Sequence, residues 1–484
     1  MKSSFTVPRR SFLKSCFVAG TVYGIPQIVP SGVLRGDSTP SKRLSVAVIG
    51  CGNRSRTLIP SILQEGHHVA ALCDVDAEQR ARLKAGRVGA YDRRTRSSDF
   101  MAGLDRAKQG LSKASEYADY RVLFDKEKSL DAVIISVGQR WHVPMIKASL
   151  RAGLAVYCEK PLAHSVAEAR EVATTMKAAT AITQIGTQGG ATDAFRRSME
   201  IIQSGLLGDV LEVHCWMDRT FPPSETISSH ADPVPAELNW DAWCGPSPLH
   251  PFRVHYLGTC LNWGRWLDYG DGHLADMGAH ALNLPLRALD LPAPTRVSVV
   301  SAEPVLDSYP SKNDFRWDFS TRPDSKPVSM WWHDGPGAAP PRDLCGDLMA
   351  TYGRVPSDGC LFVGEKGLLF ADAWGQKGVM RLKSDASPKC RGVLDHEAAK
   401  PLPVKYRRAK DQNHMKEFLD ACRGEVQTFQ NFAMAARSAE ITTTGIVALR
   451  LGRGFEWDSG NLRAKGAPDA DRWIHLPRRG KWVV

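Results

Sequence analysis

The sequence predicts an α/β protein of two domains, in which a parallel sheet covered by helices on both faces precedes an α+β domain with an open, mostly antiparallel sheet. The length of 484 residues exceeds what one hydrophobic core usually organises. From residue 41 to residue 188, short apolar runs alternate with segments of helical length. In residues 189–484 the chain changes character, and residues 290–410 are rich in Pro, Gly and short strand-like runs. We therefore place the two domains at 41–188 and 189–484, after a leading segment of residues 1–40.

The leading segment predicts export. Pro8-Arg9-Arg10-Ser11-Phe12-Leu13-Lys14 precedes a short apolar stretch, residues 16–28. A charged start followed by a short apolar run is the layout of an export signal, and the arginine pair resembles the signal of the twin-arginine route, which carries folded proteins. We expect an exported, periplasmic protein whose mature chain begins before Lys42. A frayed basic N-terminus is the alternative.

Composition and charge exclude several classes of protein. Hydrophobic residues make up 43% and charged residues 24% of the chain, which excludes collagen-like, coiled-coil and wholly disordered chains. No apolar run reaches the roughly 20 residues that cross a bilayer, so no membrane association is expected after export. The net charge is +11, but residues 1–40 hold five basic residues and one acidic residue. The remainder is only mildly basic, and no nucleic-acid partner is expected.

Cysteine usage agrees with folding before export. The 11 cysteines show no C-x-x-C pair, so neither a disulfide framework nor a zinc ribbon is indicated. Several of them lie within apolar runs, where a free thiol is usually a small buried hydrophobe. We expect mostly reduced, structural cysteines.

The elements of the first domain follow in order. Each predicted strand is a short apolar run, and each predicted helix follows a strand. The predicted strands are Leu44–Ile49, His68–Cys73, Asp131–Val137, Ala155–Cys158 and Ile182–Gly186. One predicted helix follows the first strand and its turn and ends at Leu63, and two others span His142–Ala152 and Ser165–Ala178. The polar, Arg-rich segment 87–113 is expected to be a solvated surface loop. Farther on, His414–Cys422 and Ala433–Leu451 are predicted helices that pack back on the body.

The first turn predicts a dinucleotide site. Gly50 and Gly52 directly follow the first strand, and glycine lets backbone amides approach a phosphate at a helix N-terminus. Ser55 stands where the pattern requires Gly or Ala. Asp74 ends the second strand, about 20 residues later, where a carboxylate accepts both ribose hydroxyls and repels a 2′-phosphate. The pattern favours NAD over NADP, although Arg54 and Arg56 could soften that preference.

Five motifs now occur in order: Gly50-Cys51-Gly52-Asn53-Arg54, Asp74, Cys158-Glu159-Lys160-Pro161-Leu162, Gly186-Thr187-Gln188 and Asp276-Met277-Gly278-Ala279-His280. Over residues 43–460 the chain resembles the Gfo/Idh/MocA oxidoreductases, the relatives of glucose–fructose oxidoreductase and inositol dehydrogenase. The resemblance implies a Rossmann domain and contacts to NAD from Gly50, Cys51, Gly52, Asn53, Arg54, Asp74, His142, Glu159, Lys160 and Gln188. It also implies a homo-oligomer, often formed through the outer face of the second sheet.

The resemblance implies the catalytic residues as well. Lys160 lies beside the nicotinamide, where an ammonium stabilises charge on the hydroxyl that loses its proton. His280 is the general base, and Asp276 orients it or binds a substrate hydroxyl; a spacing of four puts both on one helix face. The alternatives are a surface lysine, a buried structural histidine, and a metal site formed by His273, Asp276 and His280. The family uses no metal, so none is expected.

Two other features leave alternatives open. The third strand runs into Val137-Gly138-Gln139-Arg140, where the family usually has a T-P-D-like turn, so contacts around the nicotinamide ribose are expected to differ. An aromatic-rich segment follows Gln188. It would either form a platform for a sugar ring, with Asp218, Arg219 and Asn262 binding hydroxyls, or pack as ordinary core. Its aromatic members are Trp216, Trp240, Trp243, Phe252, Tyr256, Trp263, Trp266 and Tyr269.

Three functions are consistent with these residues. The first is an NAD-dependent oxidoreductase that transfers a hydride between a tightly held cofactor and a sugar or polyol. The second is a glycoside-cleaving enzyme that oxidises its substrate transiently, and the third is a non-catalytic carbohydrate-binding relative. Because an exported protein meets no dinucleotide pool, we expect NAD to be bound during folding and recycled within one site.

Overall fold

The computed structural model describes residues 43–320 and 326–482. The twin-arginine sequence and the rest of segment 1–40 lie outside the described residues.

The first domain is a six-stranded parallel sheet. Its strands are β1 (Ser45–Ile49), β2 (His68–Cys73), β3 (Ser115–Tyr117), β4 (Ala132–Ile135), β5 (Ala155–Cys158) and β6 (Thr183–Ile185). They lie in the order β3-β2-β1-β4-β5-β6, and separate buried clusters cover the two faces. The prediction of a parallel sheet covered on both faces is therefore confirmed. The strand order reverses between β1 and β4, and ligands of such sheets bind at this switch point.

Six helices connect these strands: α1 (Ser55–Gln64), α2 (Ala77–Lys84), α3 (Ser98–Gly110), α4 (Tyr120–Lys126), α5 (His142–Arg151) and α6 (Val166–Ala178). The loop predicted for residues 87–113 is wrong in its second half, because α3 occupies it. Leu104 and Ala107 lie on one face of α3 and are fully buried. A Cβ at Gly103 would lie only 3.3 Å from Pro60, so the glycine lets α3 pack closely on α1. The sequence analysis missed this helix because its apolar stripe is short and the segment is rich in arginine.

The second domain is built on a ten-stranded sheet. Its strands are β7 (Val210–Met217), β8 (Arg296–Ala302), β9 (Asn313–Phe319), β10 (Val328–Asp334), β11 (Asp358–Gly364), β12 (Gly367–Ala371), β13 (Gly378–Leu382), β14 (Arg391–Gly392), β15 (Phe455–Asp458) and β16 (Arg463–Lys465). The order is β14-β13-β12-β11-β7-β10-β9-β8-β15-β16. Only the β7–β10 pair is parallel among the described pairs, which confirms the open, mostly antiparallel sheet.

Ten helices accompany the second sheet: α7 (Asp193–Gln203), α8 (Trp240–Cys244), α9 (Cys260–Trp263), α10 (Gly272–Asp276), α11 (Gly278–Ala281), α12 (Asn283–Ala288), α13 (Gly346–Tyr352), α14 (His414–Cys422), α15 (Phe432–Leu451) and α16 (Asp471–Ile474). Phe418 of α14 and Phe432 of α15 are fully buried within the two cores of the first sheet. The predicted return of these two helices to the body is confirmed. No helix in the described part of the chain is long and apolar enough to span a membrane.

Candidate active site

The turn between β1 and α1 is shaped to receive a phosphate. Gly50 has φ +94°, and a Cβ there would lie 2.1 Å from the Ser136 carbonyl oxygen, so only glycine fits. A Cβ at Gly52, by contrast, would meet no atom within 4 Å, so space is open above the turn. Arg54 caps α1 without a side-chain hydrogen bond, which leaves the first amides of the helix for an anion. The Ser55 hydroxyl donates to the Gly50 carbonyl and ties the turn together.

Asp74 lies at the end of β2 and is tied to this turn. Its carboxylate accepts hydrogen bonds from the Cys51 amide (2.6 Å) and the Asp76 amide (2.9 Å). Burial raises the pKa of Asp74 to about 6, although both amides oppose that shift. Each oxygen keeps a second lone pair for a ribose hydroxyl. The geometry thus fits the role that the sequence predicts for Asp74.

Neither Arg54 nor Arg56 makes a hydrogen bond or an ion pair with Asp74. The Arg54 guanidinium donates to Glu159 at 2.7 Å. Arg56 is buried, and its guanidinium donates to backbone carbonyls, among them that of Gly52 at 2.9 Å. Both side chains are therefore engaged elsewhere, and the softened preference for NAD that they could have produced finds no support in this geometry.

Glu159, at the end of β5, accepts hydrogen bonds from several residues, among them two of the predicted site residues. Its Oε1 accepts from Arg54, from the Tyr157 hydroxyl at 3.1 Å and from the Gln188 amide at 3.4 Å. A Cβ at Gly186 would lie 2.6 Å from the Glu159 carboxyl carbon, so this glycine gives the carboxylate its room. The motifs around residues 50, 159 and 186 therefore form one polar wall beside the glycine turn.

Two of the predicted cofactor contacts face the backbone instead. The ring nitrogens of His142 lie 2.6 Å from the Pro161 carbonyl oxygen and 3.1 Å from that of Val137, and burial lowers the pKa of His142 to about 4. Asn53 lies against Gly89, with its side-chain oxygen buried and unpartnered among the described residues. His142 therefore braces the turn that carries Lys160, and a direct contact of either residue with NAD stays a prediction.

Lys160 and Asp276 form a buried ion pair across the two domains. The Lys160 ammonium donates to Asp276 Oδ1 and, at 3.2 Å, to the Asp276 carbonyl oxygen. Burial lowers the pKa of Lys160, but the charge of Asp276 outweighs it and the pKa is raised. Burial likewise raises the pKa of Asp276, and Lys160 more than reverses this, to about 2. Both groups are thus charged at neutral pH, and the Lys160–Pro161 bond is cis.

His280 is buried beside this pair. Its Nε2 has no hydrogen-bond partner among the described residues, and the Trp374 ring lies over it with centroids 4.6 Å apart. Burial, followed by the positive charge of Lys160, lowers the pKa of His280 to about 3. The imidazole is therefore neutral at pH 7 and can accept a proton. Asp276 ends α10 and His280 lies in α11, and Met277 between these two short helices keeps a helical conformation (φ −94°, ψ −29°).

Sequence reasoning missed three residues around this centre. The Cys260 thiol, on an exposed residue, donates to Asp276 Oδ1 at 3.3 Å. Gln139, from the turn that departs from the family pattern, donates to the buried Asp271 at 2.6 Å and so joins the domains. Trp374 comes from the loop after β12. No local pattern marks any of them, since each is brought in by long-range packing.

His273, Asp276 and His280 do not come together as the metal-site alternative would require. His273 Nδ1 lies 2.9 Å from Asp334, and its ring stacks on Phe221 with centroids 3.9 Å apart. His273 is thus held by the sheet rather than shared with Asp276 and His280. Within residues 43–320 and 326–482, no group of three or more His, Cys, Asp or Glu side chains is arranged to hold a metal ion.

The aromatic segment packs mainly as core. Trp240, Tyr256, Trp266 and Tyr269 are buried in one cluster, with Trp240 and Tyr256 stacked at 5.9 Å between centroids. Trp216 is buried elsewhere, under α13. A broad sugar platform is therefore not formed. The alternative of core packing describes most of these rings, because large aromatic surfaces gain most when removed from water.

The first domain, its glycine turn and the acidic end of β2 define a class: two-domain proteins that bind a dinucleotide at the switch point of a Rossmann sheet. Comparison with known families agrees. Residues 44–187 match the family described as "Oxidoreductase family, NAD-binding Rossmann fold", and residues 193–306 match its "C-terminal alpha/beta domain". The chain belongs to the Gfo/Idh/MocA oxidoreductase family.

Individual relatives are distant. An uncharacterized oxidoreductase, YfiI of Bacillus subtilis, is 26% identical over 44% of this chain and 51% of its own length. Inositol 2-dehydrogenase of Salmonella typhimurium is 34% identical over 24% of this chain and 35% of its own length. Levoglucosan dehydrogenase, solved with NADH and L-sorbose, is similar in fold: the TM-score is 0.56 at 14% identity, over 86% of this chain and 99% of that one. The chain thus spans about half or less of these curated relatives.

Proposed function

We propose that this protein is an NAD-dependent oxidoreductase that oxidises a CH–OH group of a sugar or polyol. One observation carries the proposal. A buried lysine–carboxylate pair and a buried neutral histidine with an unpartnered Nε2 are brought together beside the ends of the Rossmann strands. Oxidation of an alcohol needs a cation beside the oxygen and a base for its proton, and these residues supply both.

Different groups of the chain suit different parts of the cofactor. The open space above Gly52 and the uncapped start of α1 suit the pyrophosphate, and Asp74 suits the adenosine ribose. When bound, NAD accepts the hydrogen and the electron pair that leave the carbinol carbon. The engaged arginines of the turn and the carboxylate of Asp74 favour NAD over NADP.

Lys160, His280 and Asp276 handle the substrate hydroxyl. The Lys160 ammonium donates a hydrogen bond to the hydroxyl oxygen and stabilises the negative charge that develops there. The hydroxyl proton passes to His280 Nε2, which is neutral and carries no competing hydrogen bond. Asp276 keeps Lys160 charged through the ion pair. The role that the resemblance implied for Asp276, orienting His280 or binding a substrate hydroxyl, stays a prediction.

The names of the relatives support the substrate class. Inositol 2-dehydrogenase acts on a polyol by its name, and levoglucosan dehydrogenase on an anhydrosugar. Trp374 over His280 adds a partly exposed aromatic face at the site, which suits the apolar side of a sugar ring.

The test adds a panel of sugars and polyols to the protein as purified and records the reduced-nicotinamide absorbance band. We expect the band to grow with at least one member of the panel. Lys160→Met should reduce the rate about 10²-fold or more. Lys383→Met, at an exposed lysine after β13, serves as the matched control and should leave the rate unchanged. Absence of the band with every compound, in the presence of added NAD, would refute the proposal.

We also propose that the protein is exported by the twin-arginine route with NAD already bound. The motif in residues 8–14 and the free state of the ten described cysteines support this. Denaturing protein purified from the periplasm should release stoichiometric dinucleotide; much less than one molecule per chain would overturn it.

Assembly into a homo-oligomer is part of the same proposal. The outer face of the second sheet is the expected contact. There His214 and His333 lie 2.9 Å apart between ring nitrogens, and His333 pairs with Asp314 at 2.8 Å. Sedimentation equilibrium should give a mass above that of the single 53.2 kDa chain; a monomer across the concentration range would contradict the assembly.

A further inference from the structure

A second cleft shares the helices α9 and α10 with the candidate active site. It encloses about 700 Å³, and its walls come from the segment after β7, from Arg253–His255 and from α9 and the residues that follow it. His273 of α10 lines it too, three residues before Asp276. α9 begins at Cys260, whose thiol contacts Asp276, and continues into the cleft with Leu261 and Asn262. The cleft is therefore linked to the Lys160–Asp276 pair through α9 and α10.

The cleft presents more cations than anions. Among its lining residues are Arg219, Arg253 and Arg265, against the single carboxylate of Glu225. Arg265 pairs with Glu225 at 2.9 Å and Arg253 with Asp232 at 3.2 Å. Arg219 is exposed and makes no hydrogen bond or ion pair with any described residue.

Free guanidinium groups in a concave site suit an anionic group of a ligand. Arg253 is held through Nε, so its two terminal nitrogens remain available, and all five donors of Arg219 are free of protein acceptors. A guanidinium binds a carboxylate or a phosphate in bidentate fashion, with charge-assisted hydrogen bonds. Asn262 and the Thr220 and Ser228 hydroxyls on the same walls suit the neighbouring sugar hydroxyls.

We propose that this cleft is a subsite for an anionic substituent, so that the preferred substrate is an acidic sugar bearing a carboxylate or a phosphate. The inference rests on the proposed function in taking the Lys160 centre as the place of oxidation. Arg219 is the specificity-determining residue, Arg253 lies beside it, and neither takes part in the chemical step.

The test compares sugars that differ only in the group at C6, which is neutral in one member of each pair and anionic in the other. Isothermal titration of the purified full chain, with NAD present, is run with D-glucose and D-glucuronate, D-galactose and D-galacturonate, and D-mannose and D-mannuronate. D-glucose 6-phosphate and D-galactose 6-phosphate form a second arm that separates carboxylate from phosphate. At least one acidic compound should bind about 10-fold or more tightly than its neutral partner, and the gap should shrink as sodium chloride is raised.

The variants locate the effect. Arg219→Gln should abolish the gap and leave the neutral sugar unchanged. Arg391→Gln, at an exposed arginine on β14, is the matched control and should keep the gap. Equal affinity within every pair, or the same result from both variants, would overturn the subsite.

The absorbance band recorded on the same samples separates the two proposals. Acid-selective binding without reduction of NAD in any mixture refutes the proposed function and leaves the subsite standing. Reduction of NAD by sugars without any preference for charge refutes the subsite alone.

Discussion

Removing the negative charge of Asp276 tests the centre of this structure most directly. In Asp276→Asn, the buried Lys160 ammonium loses its counter-ion and keeps only a neutral oxygen as acceptor. The two side chains are 13% and 15% exposed, so solvent screens the pair weakly. Two unit charges about 4 Å apart, at an effective dielectric constant of about 20, interact by about 4 kcal/mol. Removing one partner of a buried ion pair typically lowers the free energy of unfolding by about 3–5 kcal/mol.

We therefore expect Asp276→Asn to lower the free energy of unfolding by about 3 kcal/mol or more, since the amide recovers only part of the interaction. It should also lower the pKa of Lys160, because burial already lowers it and Asp276 is the charge that raises it. Lys160 would then lose its proton at lower pH, and the alkaline fall of kcat should move to lower pH.

Two measurements check this. Urea denaturation at pH 7 gives the loss of stability, and the pH dependence of kcat gives the shift. Asp347→Asn is the matched control, because Asp347 pairs with Arg381 at 3.1 Å with both side chains more exposed, and such pairs contribute about 1 kcal/mol or less. The reasoning is refuted if both variants lose equally little stability and the pH profile of Asp276→Asn matches that of the unaltered protein.

Three further predictions follow from the buried groups. Burial raises the pKa of Asp271 to about 8, so the folded state favours the protonated form of this side chain. The contribution of Asp271 to the free energy of unfolding is therefore fully present below the unfolded pKa of about 4, and it is lost as the pH rises through about 8. Asp271→Asn should therefore flatten the fall of the melting temperature between pH 5 and pH 8, measured by calorimetry, and an unchanged slope would contradict this. Asp74→Asn should weaken NAD about 10-fold and narrow its preference over NADP, because a charge-assisted acceptor of the ribose hydroxyls is lost; equal dissociation constants before and after the change would disprove the ribose role. His280→Gln should lower kcat about 10²- to 10⁴-fold with little change in KM. Because the pKa of His280 is lowered to about 3, the unaltered protein should show no acidic fall of kcat near pH 6.5. A fall of kcat near that pH would assign the general base to another group.

Five of the six strands of the first domain could be predicted from the sequence, whereas β3, α3 and α4 were missed. β2 and β5 have the bounds that the apolar runs predicted, and the glycine turn and Asp74 meet as their spacing implied. These features are local or follow from a repeating βα pattern, so few alternatives compete. α3 was missed because its buried stripe is short and lies among arginines.

The candidate active site was only partly predictable. The motif residues Lys160 and Asp276 do meet, but 116 residues separate them, and their contact depends on how α10 docks against the end of β5. Trp374, Cys260 and Gln139 have no local pattern. The choice between an aromatic platform and core packing stayed open, because hydrophobicity alone does not say whether a ring faces a substrate or a neighbouring ring.

The sequence by itself determined the class of fold and the dinucleotide turn, because apolar runs, helical patterning and the chemistry of glycine act over a few residues, and the resemblance of its five motifs indicated the family. Only the tertiary structure decided which charges are paired. It gave Lys160 to Asp276, left His280 Nε2 unpartnered, engaged Arg54 with Glu159 and left Arg219 free in a cleft. Pairing and burial set the protonation of these groups, and both arise when residues far apart in the chain are brought out of water together.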